Sequence, residues 1–360
     1  MTAEAPPLEF DATRAEEFAG KMMGVLNGSL LGLCTSVGLQ TGLFDGMAGM
    51  APATSTEIAA RTGLQERYVR EWLGAMVLGG IVEYDAAAKT YCLPPEHAAF
   101  VTTAAGPDNL AYFTQYIALF AAVEPQIIES FRTGGGVPYS AFARFQELQA
   151  GETRSVDDAS LLQRTLPSIP GLVERLEAGI HAADFGCGSG HAINLMAKAF
   201  PQSTFTGLDI SGEGIRAGQA EARALGLSNV TFSVQDVAQF HSSEAFDFAI
   251  AFDAIHDQAD PRAVLAAIRR SLRPGGVFLM VDIAASSDIE ENYEHPLGAA
   301  LFGVSLFHCM TVSLAAGGEG LGAMWGEQQA RAYLAEAGFD NVETVEIEGD
   351  FLNTYFVASV

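Results

Sequence analysis

Short apolar runs alternate with stretches of helical periodicity through the second half of the chain. Five such runs lie between residues 181 and 283, and helical segments follow three of them. A further helical segment over 327–338 precedes two strand-like runs around Gly349 and Asp350. Short apolar strands separated by helices form parallel sheets that are covered on both faces. The pattern therefore predicts a doubly wound α/β sheet over 180–360, with an antiparallel last strand.

Two segments break this rhythm. Residues 284–325 are apolar and glycine-rich without a clear period, which predicts a helical cap inserted over the carboxyl edge of the sheet. Residues 101–179 are mostly helical in pattern and are broken by glycine- and proline-rich stretches at 132–140 and 165–171. We expect this second segment to link the domains and to form one wall of a pocket.

The first hundred residues have a different organisation. Residues 15–44 are typical of one or two apolar helices. A short helix follows, for which Ser55 or Thr56 is the expected N-cap and which should end near Gly63. A second helix and two short strands complete the order helix, turn, helix, hairpin. This order predicts a winged-helix domain over 1–100.

The stretch 25–44 is apolar over about the length of a membrane span. Four glycines and several polar residues interrupt it, which favours a buried or interface helix over a transmembrane segment. A surface this apolar is rarely left free in a soluble protein. We therefore expect a homodimer joined through residues 15–100.

Composition narrows the classes of partner. The chain has 360 residues, of which 49% are hydrophobic, and a formal net charge of −25, which opposes binding to nucleic acid or to an anionic membrane. Residues 1–100 hold six lysines and arginines against twelve acids. The four cysteines are widely spaced, as in a cytoplasmic protein with reduced thiols, and neither they nor the seven histidines show metal-site spacing. No metal is expected.

A glycine turn carries the first sign of a ligand. The sequence "DFGCGSG" over 184–190 places Asp184 before Gly186, Gly188 and Gly190. Glycines let a ligand approach the backbone closely and let the chain enter the next helix without a Cβ clash. The spacing departs from the dinucleotide pattern, and a carboxylate here would repel a pyrophosphate. The turn therefore favours a ligand that carries an ammonium group.

Two more acids follow the next two predicted strands. Asp209 ends the second strand, where a carboxylate can accept both hydroxyls of a ribose. Asp236 follows the third strand and can accept a hydrogen bond from an exocyclic amine such as that of adenine. Each acid alone could be a strand-end cap. Ammonium, ribose and adenine together describe S-adenosylmethionine.

At these residues the chain resembles the class I S-adenosylmethionine-dependent methyltransferases, which have a Rossmann-like sheet. "DFGCGSG", "GLDIS", "VQDV", "FDFAIAFDAIHD" and "LRPGGVFLMVD" match the family's motifs in order, and the likeness covers about 180–283 and 326–360. The N-terminal half resembles the winged-helix dimerisation domain of small-molecule O-methyltransferases, and the layout is similar to actinobacterial winged-helix methyltransferases. The resemblance implies a cofactor site formed by Asp184, Gly186, Gly188, Gly190, Asp209, Ile210, Asp236, Val237 and Phe252.

The resemblance also implies a general base. O-methyltransferases carry an "HDW-x-D" sequence after the fourth strand. His256, Asp257 and Asp260 match its histidine and two acids, while Gln258 replaces the tryptophan. Asp282 matches one of the two acids that brace the histidine. The second, in an "ER" dipeptide, is missing, and Glu327 lies nearby but out of register. His256 could instead be a loop contact. His308, in the cap, is the other candidate base.

Three functions remain open from the sequence. The first is methyl transfer from S-adenosylmethionine to a small, mostly apolar molecule, with an oxygen acceptor and His256 as base. The second is N- or C-methylation, for which positioning of the acceptor beside the methyl group could suffice. The same fold also hosts reactions of this cofactor without net methylation. The third is a cofactor-sensing DNA-binding regulator that uses the winged helix.

Overall fold

The computed structural model describes residues 9–360. The described chain divides into two compact units, one that ends at Ala118 and one that runs from Leu119 to Val360.

The first unit contains the helix-turn-helix and hairpin that the sequence predicts. Its long first helix ends at Gln40, and a two-stranded antiparallel hairpin follows the fourth helix. The second helix-turn-helix member contributes the buried side chains of Val69, Trp72, Leu73 and Met76. The elements are α1 (Ala12–Gln40), α2 (Leu43–Met47), α3 (Ser55–Thr62), α4 (Glu66–Leu78), β1 (Glu83–Asp85), β2 (Thr90–Cys92), α5 (Pro95–Val101), α6 (Leu110–Phe113) and α7 (Gln115–Ala121), the last of which crosses the boundary between units.

The cap of α3 differs from the expectation. Thr54, rather than Ser55 or Thr56, is the N-cap: its side chain accepts the Glu57 N–H, and the Glu57 carboxylate accepts the Thr54 N–H. This reciprocal pair is a capping box, which needs an acid three residues after the cap. Only Thr54 has a glutamate at that spacing, and Gly63 ends the helix in the left-handed region as expected.

Helix α1 is apolar, yet few of its side chains are buried. Thr35, Ser36 and Gly38 are its buried residues, so the single chain buries little of this helix, and of the expected buried or interface helix the interface alternative stays a prediction. Two helical segments in residues 9–360, Ala12–Gln40 and Gly298–Ala315, are long and apolar enough to cross a membrane, which is weak evidence by itself. The exposed apolar side chains of α1 are Phe18, Met22, Met23, Val25, Leu26, Leu30 and Val37.

The second unit begins with helices and then forms the sheet. Helices α8 (Glu124–Thr133), α9 (Phe145–Ser160) and α10 (Leu172–Ala178) precede it, with a π-helical turn over Leu161–Thr165. The seven strands are β3 (His181–Phe185), β4 (Thr204–Asp209), β5 (Val230–Val234), β6 (Phe246–Phe252), β7 (Leu272–Ile283), β8 (Asn341–Val345) and β9 (Asn353–Ser359). The remaining helices are α11 (His191–Ala199), α12 (Gly212–Ala224), α13 (Pro261–Ser271), α14 (Gly298–Val304), α15 (Met310–Ala315) and α16 (Gly326–Glu336).

The strand order is β5-β4-β3-β6-β7-β9-β8. Strands β3 to β7 are parallel, and β9 pairs antiparallel with both β7 and β8. The chain first moves outward from β3 to β5 and then returns to place β6 on the other side of β3. The carboxyl ends of β3 and β6 therefore flank the point where a doubly wound sheet binds its ligand.

Alternate residues of the central strands supply the two layers of core. Ala183, Ala249 and Met280 face the layer that contains α13 and α16, while Phe248 and Leu279 face the layer that contains α10 and α11. Because a strand's side chains alternate between faces, the nearly continuous apolar runs of β6 and β7 indicate burial on both sides. The predicted α/β sheet with an antiparallel last strand is confirmed.

The segment 284–325 is helical. Its main part is α14 and α15, joined by a π-helical turn over Ser305–Cys309. The π turn shifts the helical register by one residue, which explains why the sequence shows no clear period there.

Candidate active site

The glycine turn connects β3 to α11 and is fixed by backbone hydrogen bonds. The N–H groups of Gly186 and Cys187 donate to the Leu208 carbonyl at 2.8 and 3.0 Å, which ties the turn to β4. Gly186, Gly188 and Gly190 have φ angles of 86°, 52° and 69°. Side-chain-bearing residues rarely adopt these angles, so the turn needs glycine at all three positions.

The three glycines have different neighbours. A Cβ on Gly190 would collide with the ring of Phe232, and a Cβ on Gly186 would lie 2.6 Å from the Ala254 methyl. A Cβ on Gly188 would meet nothing within 4 Å. Gly190 therefore permits the packing of the turn, whereas Gly188 leaves open space in front of the backbone.

Asp184 is a buried acid with an unsatisfied oxygen. Its Oδ1 atom has no hydrogen-bond partner among residues 9–360. Burial raises the pKa of Asp184 well above its usual value, and the charges of Asp157 and Asp209 raise it further. A buried carboxylate without a partner is costly unless a cation compensates it. The side chain thus fits a positively charged ligand group.

Asp209 is held in place by two backbone donors. Its Oδ2 accepts the Gly188 N–H at 2.8 Å, and its Oδ1 accepts the Ser211 N–H at 2.7 Å. Burial raises the pKa of Asp209, while these two hydrogen bonds lower it. The carboxylate is therefore oriented at the end of β4 by the same turn that holds Gly188.

A cleft lies beside Asp209 at the end of β4. Asp236, which follows β5, accepts the Ala238 N–H at 3.0 Å and a hydrogen bond from the Gln239 amide at 2.7 Å. The cleft brings predicted cofactor residues together with two glutamines that sequence reasoning did not select. Its lining is Gly186, Asp209, Ile210, Gln235, Asp236, Val237 and Gln258.

His256 lies between two carboxylates after β6. Its Nδ1 is 2.7 Å from Asp282 Oδ1, and its Nε2 is 3.2 Å from Asp257 Oδ1. Burial alone would lower the pKa of His256, but Asp282 and Asp257 outweigh it and hold the pKa well above its ordinary value. The imidazole is thus a strengthened base that is protonated at a higher pH than a free histidine.

His308 has a contrasting environment. It is fully buried, its ring stacks on Phe145 with a centroid distance of 3.6 Å, and Phe142 and Tyr139 meet it edge-on. Neither ring nitrogen has a hydrogen-bond partner in the described part of the chain. Burial lowers the pKa of His308 to about 4. It is therefore a neutral imidazole under ordinary conditions and a weak base.

Family comparison fits this geometry. Residues 176–338 match the family described as "Methyltransferase domain", and residues 29–103 match an Rv2258c-like winged HTH domain. Residues 176–338 of the chain thus carry a methyltransferase domain. The residues beside the cleft suit S-adenosylmethionine, the cofactor expected from the sequence, because Asp184 offers an unsatisfied buried acceptor and Gly188 leaves an open approach.

Curated relatives match only part of this methyltransferase. The fatty-acid O-methyltransferase of Mycolicibacterium smegmatis is 31% identical over 113 residues, which cover 31% of this chain and 40% of that protein. The trans-aconitate 2-methyltransferase of Acidovorax ebreus is 30% identical over 171 residues, 42% of this chain and 64% of that protein. The chain thus spans less than two thirds of the length of these relatives.

Solved structures share the fold over nearly the whole chain. Human N-acetylserotonin methyltransferase in complex with S-adenosylmethionine has a TM-score of 0.69 and 17% identity, covering 100% of this chain and 99% of that one. The mitomycin 7-O-methyltransferase has a TM-score of 0.70 and 18% identity, covering 97% and 100%. At this level of identity the likeness establishes the fold.

The remaining predicted site residues of the methyltransferase lie apart from the cleft lining. Phe252 ends β6 and packs against the core layer of α10 and α11. Glu327, the acid nearest the missing "ER" position, pairs with Arg331 at 2.7 Å rather than with His256. Asp260 is the N-cap of α13 and accepts the Ala263 N–H at 2.9 Å.

The structure adds acids and a thiol that sequence reasoning missed. Asp253 and Cys309 lie beside His256, and the ligand atoms of His256, Asp257 and Cys309 are within 4.8 Å of one another, as are those of Asp253, His256 and Asp282. Such distances would allow a shared metal ion, so the absence of metal stays a prediction. Asp157 is buried on α9, and its charge raises the pKa of Asp184. No local motif marks these residues, because through-space proximity alone connects them to the site.

Proposed function

We propose that the chain transfers the methyl group of S-adenosylmethionine to a small, mostly apolar molecule through an oxygen acceptor. The observation that carries the proposal is the placement of three acids at the ends of β3, β4 and β5. Asp184 lies on the strand that leads into the glycine turn, Asp209 accepts the Gly188 N–H beside the open approach, and Asp236 lies with Asp209 at the lining of one cleft. In this proposal Asp184 binds the ammonium group, Asp209 the ribose and Asp236 the adenine.

Ile210 and Val237 complete the adenine site in the proposal. Ile210 is three-quarters exposed within the cleft lining, whereas Val237 is buried. An exposed isoleucine at a cleft is suited to pack against an aromatic base. When bound, the cofactor supplies an electrophilic methyl group.

Acceptor activation is proposed for His256. Asp282 holds Nδ1 as the hydrogen-bearing nitrogen, which leaves Nε2 to take the proton of an acceptor hydroxyl. Asp257, beside Nε2, stabilises the imidazolium that results. His308 is the second candidate for a base. Because its ring is neutral and weakly basic, we propose that it lines the acceptor pocket instead.

The apolar character of the acceptor is supported by the surroundings of His308. Tyr139, Phe142 and Phe145 surround its ring, and Phe120 lies 6.3 Å from Phe307 of the segment that follows β7. Ligand sites are lined mainly by aromatic and apolar groups with few polar ones. Residues 119–179 and 284–325, both in the second unit, are therefore proposed to enclose the acceptor.

A DNA-binding regulator is a second candidate because residues 29–103 match a winged HTH domain. Its charge argues against this function. On α4, Arg67 pairs with Glu71 and Arg70 lies 3.4 Å from Glu66, so the helix's arginines are neutralised by their own neighbours. A gel shift at low salt with specific and random DNA tests this, and retarded specific DNA would support the regulator.

Assembly and location follow from the same features. The exposed apolar side of α1 supports a homodimer joined through residues 15–100. The net charge of −25 and the four free cysteines support a cytoplasmic protein without nucleic-acid or membrane partners.

The proposed function is tested with the purified chain. The compound that co-purifies is extracted and identified by mass spectrometry, and the protein is then incubated with that compound and methyl-labelled S-adenosylmethionine. Transfer of label to an oxygen atom is the expected result. Label on nitrogen or carbon would show that the acceptor atom is not oxygen. Specific binding of the cofactor without turnover of any co-purified compound would contradict the proposed enzymatic activity.

A further inference from the structure

Helix α9 lies against the start of α11, the helix that follows the glycine turn. Asp158 Oδ1 on this helix is 3.1 Å from Nε2 of His191, the residue that follows Gly190. One turn earlier, Arg154 lies 2.9 Å from Glu221, which also contacts His191 at 2.8 Å. These contacts place the middle of α9 beside the start of α11.

The two consecutive acids of α9 face different surroundings. Asp158 is more than half exposed and pairs with His191, whereas Asp157 is buried. Asp157 Oδ2 has no hydrogen-bond partner in residues 9–360, and the same is true of Asp184 Oδ1 at the end of β3. Two buried carboxylates thus each keep an unsatisfied acceptor: Asp157 lies on the helix that contacts the start of α11, and Asp184 lies on the strand that leads into the glycine turn.

We propose that Asp157 and Asp184 jointly bind the ammonium group of the cofactor's methionine part, which makes Asp157 a cation-binding residue outside the methyltransferase motifs. This inference rests on the proposed function, because it concerns the same cofactor. An ammonium has three N–H donors and one positive charge, so it can satisfy both orphaned oxygens and compensate the charge that burial makes costly.

The protonation of the pair supports this assignment. Burial raises the pKa of Asp157 to about 7, with Asp158 raising it further and His191 and Arg154 opposing the shift. Burial, Asp157 and Asp209 raise the pKa of Asp184. Near neutral pH the pair therefore retains a proton without ligand. A bound ammonium favours the doubly ionised pair, so binding should release a proton.

The experiment compares two ligands by titration calorimetry. S-adenosylhomocysteine carries the ammonium group, while 5′-methylthioadenosine keeps the adenosine and sulfur but lacks the amino-acid part. Both are titrated into the wild-type chain, Asp157→Asn and Asp158→Asn. Asp158→Asn is the matched control, since it removes the same charge from the adjacent residue of the same helix.

Asp157→Asn should lower the affinity for S-adenosylhomocysteine by roughly tenfold or more, as expected for the loss of a charge-assisted hydrogen bond. It should change the affinity for 5′-methylthioadenosine by less than about threefold. Asp158→Asn should change the affinity for either ligand by less than about threefold. In wild type, titrations near neutral pH in buffers of different ionisation enthalpy should show proton release with S-adenosylhomocysteine, and Asp157→Asn should reduce it.

Three outcomes overturn the inference. Wild-type affinity of Asp157→Asn for S-adenosylhomocysteine removes Asp157 from the site and leaves the proposed function standing. An equal loss for both ligands indicates a structural role. Failure of wild type to bind either ligand overturns the proposed function and the inference with it. Because the variant relieves a buried charge, its ligand-free melting temperature should not fall, which separates lost binding from lost folding.

Discussion

The Nδ1 atom of His256 lies 2.7 Å from Asp282 Oδ1, and both side chains are buried. The contact joins the loop after β6 to the end of β7, across 26 residues of sequence. It orients the imidazole, because the carboxylate fixes which nitrogen carries the hydrogen. The predictions for acceptor activation depend on this pair.

Replacing His256 should separate catalysis from cofactor binding. His256→Ala should lower turnover by roughly 10²–10⁴, the usual contribution of a positioned proton acceptor, with S-adenosylmethionine affinity within a few-fold of wild type. Steady-state kinetics and calorimetry measure the two effects. A collapse of cofactor binding would instead make His256 a cofactor contact or loop brace, and a small loss of turnover would favour N-methylation.

The pH profile should report the raised pKa of His256. Protonated imidazole cannot accept a proton, so the rate should rise with pH through a pKa above the ordinary histidine value of 6.5. Asp282→Asn removes the carboxylate that most favours the protonated form. It should shift this limb to lower pH while lowering the maximal rate. An unshifted limb in Asp282→Asn would assign the titration to another group.

Substitution of Gly188 should impair cofactor binding, whereas substitution of Gly190 should impair stability. Gly188→Val fills the open space in front of the turn, so cofactor binding should be abolished, with only a moderate loss of stability from the φ of 52°. Gly190→Ala puts a methyl group against Phe232 and should mainly lower the melting temperature.

Asp209→Ala should weaken cofactor binding by roughly 1–3 kcal/mol. Calorimetry and thermal melts check all three, and wild-type affinity in Gly188→Val and Asp209→Ala would contradict the site.

The exposed side of α1 should mediate a homodimer. Light scattering at micromolar concentration should give twice the chain mass of 38.0 kDa. The pair of changes Leu26→Glu and Leu30→Glu should shift the protein toward monomer, because it places charge on an apolar contact surface. Leu225→Glu, on an exposed leucine outside residues 15–100, is the control. A monomeric wild type would count against the assembly.

Removal of metal should leave activity unchanged. His256 Nδ1 is already bound to Asp282, and in the proposed mechanism Nε2 receives the acceptor's proton, so a metal on Nε2 would block that step. Dialysis against a chelator followed by activity assays measures this. Activity lost on dialysis and restored by a divalent metal would assign the cluster of His256, Asp257 and Cys309 to metal binding and displace His256 as base.

The order and type of the elements follow from local sequence. Strand and helix periods, the glycines of the turn and the capping box at Thr54 act over a few residues, so the sequence predicts the doubly wound sheet and the helix-turn-helix plan. The acids at strand ends are equally accessible to sequence reasoning, because the carboxyl ends of parallel strands meet at one edge of a sheet. The N-cap of α3 is Thr54 and not the expected Ser55 or Thr56, because neighbouring residues offer similar hydroxyl groups.

By itself, then, the sequence determined the sheet, the glycine turn and the acids Asp184, Asp209 and Asp236. The tertiary structure alone decided that the charge of Asp157 acts on Asp184, that Cys309 lies beside His256 and that Phe232 occupies the space next to Gly190. Periodicity and turn chemistry are short-range properties of the chain. Burial, protonation and steric fit depend on neighbours brought together from distant segments, so they exist only once the chain has folded.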